Sequence, residues 1–282
     1  MQECIICGAD SFKHIYSETL VKCNSCGFIT ANMVVDENQI KSIYNENYFK
    51  GDEYFDYPGD KIVIQKNFEK RFKQIGINNS SLNSINALEI GCAYGFFLEL
   101  FSHNFNNAQY IGIDVVPESI NYGRKVLGLN LVLHDYLTFQ TQDIYSHVFM
   151  WDVIEHLPRP DLFLEKISRE IRKDGELHIT TGDISALLPK IQKNKWRMIH
   201  PPSHLHYFTK KSLILLLNKY GFDIKSVVYK PVYRSVKQIF YSLFLLNKTN
   251  RVFAEKIFGK IPERYFIPVN TYDIMHVTAL KK

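Results

Sequence analysis

Four of the five cysteines fall in the first 26 residues, as Cys4-x-x-Cys7 and Cys23-x-x-Cys26, and a glycine follows each pair (Gly8, Gly27). Two such pairs can place four thiolates at the corners of a tetrahedron around zinc, because each pair sits on a tight turn that points both sulfurs inward. The glycines permit a positive φ, so that backbone N–H groups can reach the sulfurs. The fifteen-residue gap between the pairs matches a Cys4 zinc site. Four thiolates leave no open coordination position, so the expected Zn2+ is structural and holds a segment too short to fold alone. Cys92 stands apart and reads as a small buried residue in a turn.

A second constellation begins at Glu89-Ile90-Gly91-Cys92-Ala93-Tyr94-Gly95. A loop of small residues between a strand and a helix lets backbone approach a ligand, and the helix start offers unpaired N–H groups. Asp114 closes the next apolar run, where a carboxylate can accept both hydroxyls of a ribose. The spacing of Gly91, Ala93 and Gly95 is not the dinucleotide fingerprint. Glu89 would repel a pyrophosphate but suits the ammonium of an amino acid. A ligand with both a ribose and an amino acid is S-adenosylmethionine.

These residues need a scaffold, and the hydrophobic pattern supplies one. Apolar runs at 87–90, 110–113, 131–133, 147–151, 176–181, 223–229 and 272–280 read as strands. Helical patterns at 96–103, 117–127, 161–172 and 209–220 lie between them, with Pro117 at a first-turn position. Such alternation predicts an α/β, doubly wound, mostly parallel seven-stranded sheet, preceded by a small N-terminal zinc ribbon. Three units follow: the ribbon over 1–30, a helical connector over the cofactor site at 31–80, and the main domain at 81–282. Within the last, about 230–268 is expected to form amphipathic helices capping the acceptor site, with Arg234 and Lys237 among its basic residues and Phe240 and Phe244 among its aromatics.

Residues 87–181 resemble the class I S-adenosylmethionine-dependent methyltransferases, which implies a Rossmann-like methyltransferase fold. Leu88 to Gly95 matches that family's first motif, with Ala93 where glycine is usual. Ile111-Gly112-Ile113-Asp114 matches the second. By the same resemblance Asp135 stands where an acid contacts the adenine amine. Val148 to Pro158 matches the strand-four motif, which brings Trp151 to the cofactor and ends Glu155-His156-Leu157-Pro158, an ending common in small-molecule methyltransferases. The ribbon, Tyr44-Asn45-Glu46-Asn47-Tyr48-Phe49, and Pro202-Ser203-His204-Leu205-His206-Tyr207-Phe208-Thr209 together are similar to zinc-ribbon methyltransferases of sugar and surface-polysaccharide (capsule) pathways. That resemblance implies a saccharide or nucleotide-sugar acceptor, and places Tyr48 on cofactor or substrate. Sugar C-methyltransferases usually carry Glu-His before the Tyr-Phe pair and a further C-terminal domain. Here the pair is Ser203-His204 and the chain ends at 282, so the expected reaction is O-methylation.

An activated methyl needs an acceptor placed in line, and a hydroxyl acceptor must also lose a proton. In open α/β sheets the ligand lies at the carboxyl ends of the strands. His156, after strand four, is therefore the first choice as base or orienting group, and His204 the second. His206, Asp152 and Glu155 are alternatives. The formal charge of +5, from 34 Lys and Arg against 29 Asp and Glu, falls to about +3 with four thiolates on zinc. That is far from the basic stripe of a nucleic-acid enzyme, and no Asn/Asp-Pro-Pro-aromatic motif follows strand four. No secretory pattern and no run near 20 apolar residues is present, so a cytoplasmic enzyme with no transmembrane segment is expected.

Overall fold

A computed structural model describes residues 3–16, 18–33, 35, 57–75, 85–236, 239 and 265–282. Tyr44, Tyr48 and Phe49 lie outside the described residues.

The chain opens with three short strands, β1 (Phe12–Ile15), β2 (Leu20–Cys23) and β3 (Ile29–Ala31). Helix α1 (Lys61–Ile75) follows, and then the alternating pattern begins. It runs β4 (Asn86–Ile90), α2 (Phe96–Asn104), β5 (Gln109–Asp114), α3 (Pro117–Lys125), β6 (Leu131–Leu133), β7 (Tyr145–Trp151), α4 (Pro160–Glu170) and β8 (Ile171–Gly182). After α5 (Leu187–Gln192) come the two-residue strand β9 (His206–Tyr207), α6 (Lys210–Lys219), β10 (Phe222–Val228), β11 (Val232–Ser235), β12 (Phe266–Val269) and β13 (Ile274–Lys281). Thr209 starts α6 with a capping box: its hydroxyl accepts from Ser212 N, and Ser212 reaches back to Thr209 N.

The main sheet has seven strands in the order β10-β13-β8-β7-β4-β5-β6. The pairs from β8 to β6 are parallel, whereas β13 runs antiparallel to both β8 and β10. Strand alternation divides β7 between two cores. Val148 and Met150 pack with Leu164 and Ile167 of α4 and Leu213 of α6. Phe149 and Trp151 pack with Phe97 and Phe101 of α2. Both faces are thus covered by helices, as a parallel sheet requires.

The three opening strands do not form a separate sheet. They join β9 in an antiparallel four-stranded sheet, β1-β2-β3-β9, through the pairs Ile29↔Tyr207 and Thr30↔His206. The other face of this sheet buries Leu20, Ile29 and Tyr207 against Trp196 and Met198.

The two described ends of the expected helical cap differ from expectation. β11 and β12 pair antiparallel, with Val232 opposite Val269 and Ser235 opposite Phe266. Valine, tyrosine and phenylalanine favour extended chain, and Pro268 cannot sit inside a helix. The interior of that segment, 240–264, lies outside the described residues.

Candidate active site

The glycine loop turns from β4 into α2 through three left-handed residues: Gly91 (φ 71°), Ala93 (φ 46°) and Gly95 (φ 78°). Ala93 is the costly member, since a Cβ in that region is strained by about 1 kcal/mol. The turn is tied to the next strand, because Gly91 N and Cys92 N both donate to Ile113 O, at 2.8 and 3.2 Å. Asp114 holds it from the other side: Oδ2 accepts from Ala93 N at 2.8 Å and Oδ1 from Val116 N at 2.9 Å. Burial raises the Asp114 carboxyl above its ordinary value, and the N–H groups of Val116, Ala93 and Val115 oppose that rise.

Glu89 is 2% exposed, and its Oε2 has no hydrogen-bond partner. Burial pushes its carboxyl well above the usual range, Asp114 adds to the rise, and Arg71 counters it. An ammonium at this point would satisfy the orphaned oxygen and stabilise the anion. Glu89, the 91–95 loop and Asp114 therefore fit the amino-acid and ribose ends of S-adenosylmethionine. Asp135 is exposed, and its Oδ1 accepts from Leu137 N at 2.9 Å, which shapes the turn after β6.

Helix α1 roofs this cradle. Lys61 Nζ and Gln65 Nε2 bind the Glu99 carboxylate of α2 at 2.8 and 2.6 Å. One face further on, Arg71 Nη2 lies 3.2 Å from Asp152 Oδ2, with its guanidinium 5.0 Å from the Trp151 ring. Trp151 is 7% exposed, and its Nε1 has no hydrogen-bond partner. Tyr57 stacks on Phe96 at 5.6 Å and on Tyr94 at 5.8 Å. Burial and the carboxylates of Glu89 and Asp152 push the Tyr57 phenol up. Tyr57 and Arg71 were not foreseen from sequence. Arg71 sits within the expected helical connector, and no motif marks either residue.

The loop after β7, the strand-four loop of the sequence motif, lies directly on the glycine loop: a Cβ placed on Gly91 would meet Val153 Cγ2 at 2.5 Å. Just beyond, Glu155, His156 and His204 converge, each buried, at 2%, 8% and 4% exposure. The rings of His156 and His204 meet edge to face at 4.3 Å, and His200 lies 3.9 Å from His204. His156 Nδ1 donates to Ser203 O at 2.9 Å, since a carbonyl can only accept. Leu205 N and His206 N both donate to Glu155 O, at 2.9 and 3.0 Å. Burial, His156 and His200 all push His204 down, so its imidazole is neutral. His206 instead faces the ribbon, with Nδ1 3.1 Å from Thr30 Oγ1, and burial lowers it to about 4.

All four ribbon cysteines come together. Cys4 and Cys26 sulfurs are 3.5 Å apart, Cys7 and Cys23 sulfurs 3.6 Å, and all four lie within 4.8 Å of one another. Zn–S bonds near 2.3 Å set tetrahedral S–S edges of about 3.8 Å, so this set fits zinc. Gly8 N and Gly27 N close the two turns onto Cys4 O and Cys23 O. On the adjoining face, His14, Val21, Thr30 and His206 form one row across the four strands and line a cavity of about 460 Å³. Cys92 is buried. Among the described residues no helix is long and apolar enough to cross a membrane.

Comparison with known proteins agrees with this fold. The methyltransferase-domain family model matches residues 63–227. An (S)-coclaurine N-methyltransferase of Papaver somniferum is 28% identical over 98 residues, 33% of this chain and 28% of that protein. A probable (S)-tetrahydroprotoberberine N-methyltransferase 2 of Papaver bracteatum is 24% identical over 138 residues, 45% of this chain and 38% of that protein. The chain thus spans about a third of the length of the curated relatives it matches. Among solved structures, magnesium protoporphyrin IX methyltransferase from Synechocystis, with bound S-adenosylhomocysteine, aligns with a TM-score of 0.56 at 12% identity. That alignment covers 88% of this chain and 100% of that one, and at such identity it shows the fold. With the family model spanning the glycine loop, Asp114 and the strand-four loop, the chain belongs to the methyltransferase-domain family and has the fold of S-adenosylmethionine-dependent methyltransferases.

Proposed function

We propose that the protein transfers a methyl group from S-adenosylmethionine to a hydroxyl of a saccharide-type acceptor, a nucleotide-linked sugar or a surface-polysaccharide precursor. The observation that carries the reading is the position of the buried Glu155, His156 and His204 cluster, on a loop in contact with the glycine loop. A hydroxyl acceptor needs its proton withdrawn as the new bond forms, and neutral imidazole beside the donor is suited to that task. The donor supplies a reactive methyl on a sulfonium. Glu89 would hold its ammonium, Asp114 its ribose and the 91–95 backbone its flank, with Trp151, Asp135 and Tyr48 completing the cofactor side. His156 and His204 would meet the acceptor hydroxyl. Zinc on Cys4, Cys7, Cys23 and Cys26 would fix the ribbon, whose β3 holds β9 and so steadies the histidine loop.

The saccharide assignment rests on the resemblance of the ribbon and of the 202–209 segment to sugar methyltransferases. A second reading, N-methylation of an alkaloid-like amine, is favoured by the two Papaver relatives. Labelled donor offered to nucleotide-sugars, benzylisoquinoline amines and RNA separates these readings. Label in a nucleotide-sugar, released as an alkali-stable methyl ether, is expected; label in the amines alone would overturn the acceptor class. Asp114→Ala should weaken S-adenosylhomocysteine binding more than tenfold, and unchanged affinity would sink the donor site.

A further inference from the structure

We propose that Glu155, His156 and His204 form a second metal site, for a divalent first-row cation such as Zn2+, beside the donor cradle. Each residue offers one ligand atom, these atoms lie within 4.8 Å of one another, and all three residues are buried. Two imidazoles and one carboxylate are a donor set that holds zinc and its neighbours while leaving positions open. Bonds near 2.1 Å would bring the ligand atoms to about 3–3.5 Å apart.

The surroundings are built as a metal site requires. Nδ1–H of His156 donates to Ser203 O at 2.9 Å, so Nε2 is the nitrogen that would bind the cation. That backbone carbonyl fixes both tautomer and ring plane, the usual role of an outer partner to a metal-bound histidine. The carboxylate and the second imidazole come from segments locked together by main chain: Leu205 N and His206 N both donate to Glu155 O. Thr30 Oγ1 in turn donates to Leu205 O at 2.9 Å, which ties the same segment to the ribbon.

With four protein ligands the cysteine site would be closed, whereas a cation held by three would keep a coordination position for an acceptor oxygen. With both imidazoles held as ligands, the metal in place of a free imidazole would lower the pKa of an acceptor hydroxyl bound to it, so it would favour acceptors that present a hydroxyl or two neighbouring hydroxyls. That assignment of a role rests on the proposed methyl transfer to a hydroxyl; the binding of the metal does not.

The test uses the full chain with neither donor nor acceptor present. Zn2+ is added in slight excess, unbound metal is removed, and bound metal is counted by mass spectrometry. Wild type should hold about two ions per chain, and His156→Gln, His204→Gln and Glu155→Gln about one each. The ion that each variant retains on its cysteines reports that the ribbon is folded. Titration of metal-free wild type with Co2+ gives a second measurement free of any variant. A thiolate charge-transfer band should saturate near one equivalent, and weaker d–d absorption without thiolate character should grow with the next. A single ion per wild-type chain, or a variant that still holds two, overturns the proposal. S-adenosylhomocysteine binding is measured on the same samples, so failure of the donor site and failure of this site are told apart.

Discussion

Gly91→Ala probes the contact on which the active site depends. Gly91 has φ +71°, and an added Cβ would lie 2.5 Å from Val153 Cγ2 and 3.2 Å from Cγ1. The left-handed backbone alone costs an alanine about 1–2 kcal/mol. Valine cannot swing its branched carbons aside, so the crowding adds about 1–3 kcal/mol. The total is about 2–5 kcal/mol, or a melting temperature lower by about 3–8 °C for a chain of this size. Val153→Ala in the same chain removes both γ carbons. It should recover the steric part and leave the backbone part, a coupling of about 1–3 kcal/mol in a double-mutant cycle. Thermal denaturation reads the stability, and calorimetric titration with S-adenosylhomocysteine reads the loop. The single variant should lose affinity and the double should regain part of it. If Gly91→Ala melts equally low with and without the Val153 truncation, the strand-four loop does not rest on the glycine loop, and the placement of His156 beside the donor falls with it.

Other perturbations follow from the same geometry. Trp196 Nε1 donates to the fully buried Asp273 Oδ2 at 2.8 Å, so Trp196→Phe should cost about 2–3 kcal/mol by removing a hydrogen bond to a charged group; a melting point within error of wild type would refute this. Cys23→Ser with Cys26→Ser should lower the metal count by about one per chain and speed amide exchange at Ala31, whose N–H donates to Leu205 O at 2.8 Å; unchanged exchange would mean that the ribbon does not steady β9. His147 is lowered to about 4 and His276 to about 3, mainly by burial, against 6.5 when unfolded. Between those values the unfolded chain binds more protons, so stability is full above pH 6.5 and falls by a few kcal/mol as pH drops toward 4. Urea titrations across that range check the slope, and a flat profile would show the two histidines protonating freely in the fold.

Much of the main domain was legible because its signals are local. The run at 131–133 is a strand with those bounds, and Pro117 does open α3. The glycine loop and Asp114 stand adjacent because parallel strands bring their carboxyl ends together, a rule that follows from strand order. The ribbon cysteines were readable from spacing alone, and their sulfurs converge. What escaped depends on contacts far apart in sequence. Nothing in the pattern at 206–207 announces that these two residues complete the ribbon sheet, since a two-residue strand has no periodicity to read. Arg71 was hidden for the same reason: its partners Asp152 and Trp151 lie some eighty residues away. The strands at 232–235 and 266–269 are short, and their basic and aromatic mixture suits a helix as readily as an edge strand.

The pairing of Thr30 with His206 also sets an order of events during synthesis. The two residues are 176 positions apart. At about 5–20 residues per second, the ribbon leaves the ribosome about 10–35 seconds before its fourth strand exists. During that interval β3 is an open edge, and the two hairpin turns must keep their shape without the body they will dock on. A metal held by those cysteines, no more than 22 residues apart, would close only a small loop, so it could bind within that wait. With metal bound, the ribbon would be a finished template when residue 206 arrives, and the slow, distant pairing would become the docking of one strand rather than the assembly of four.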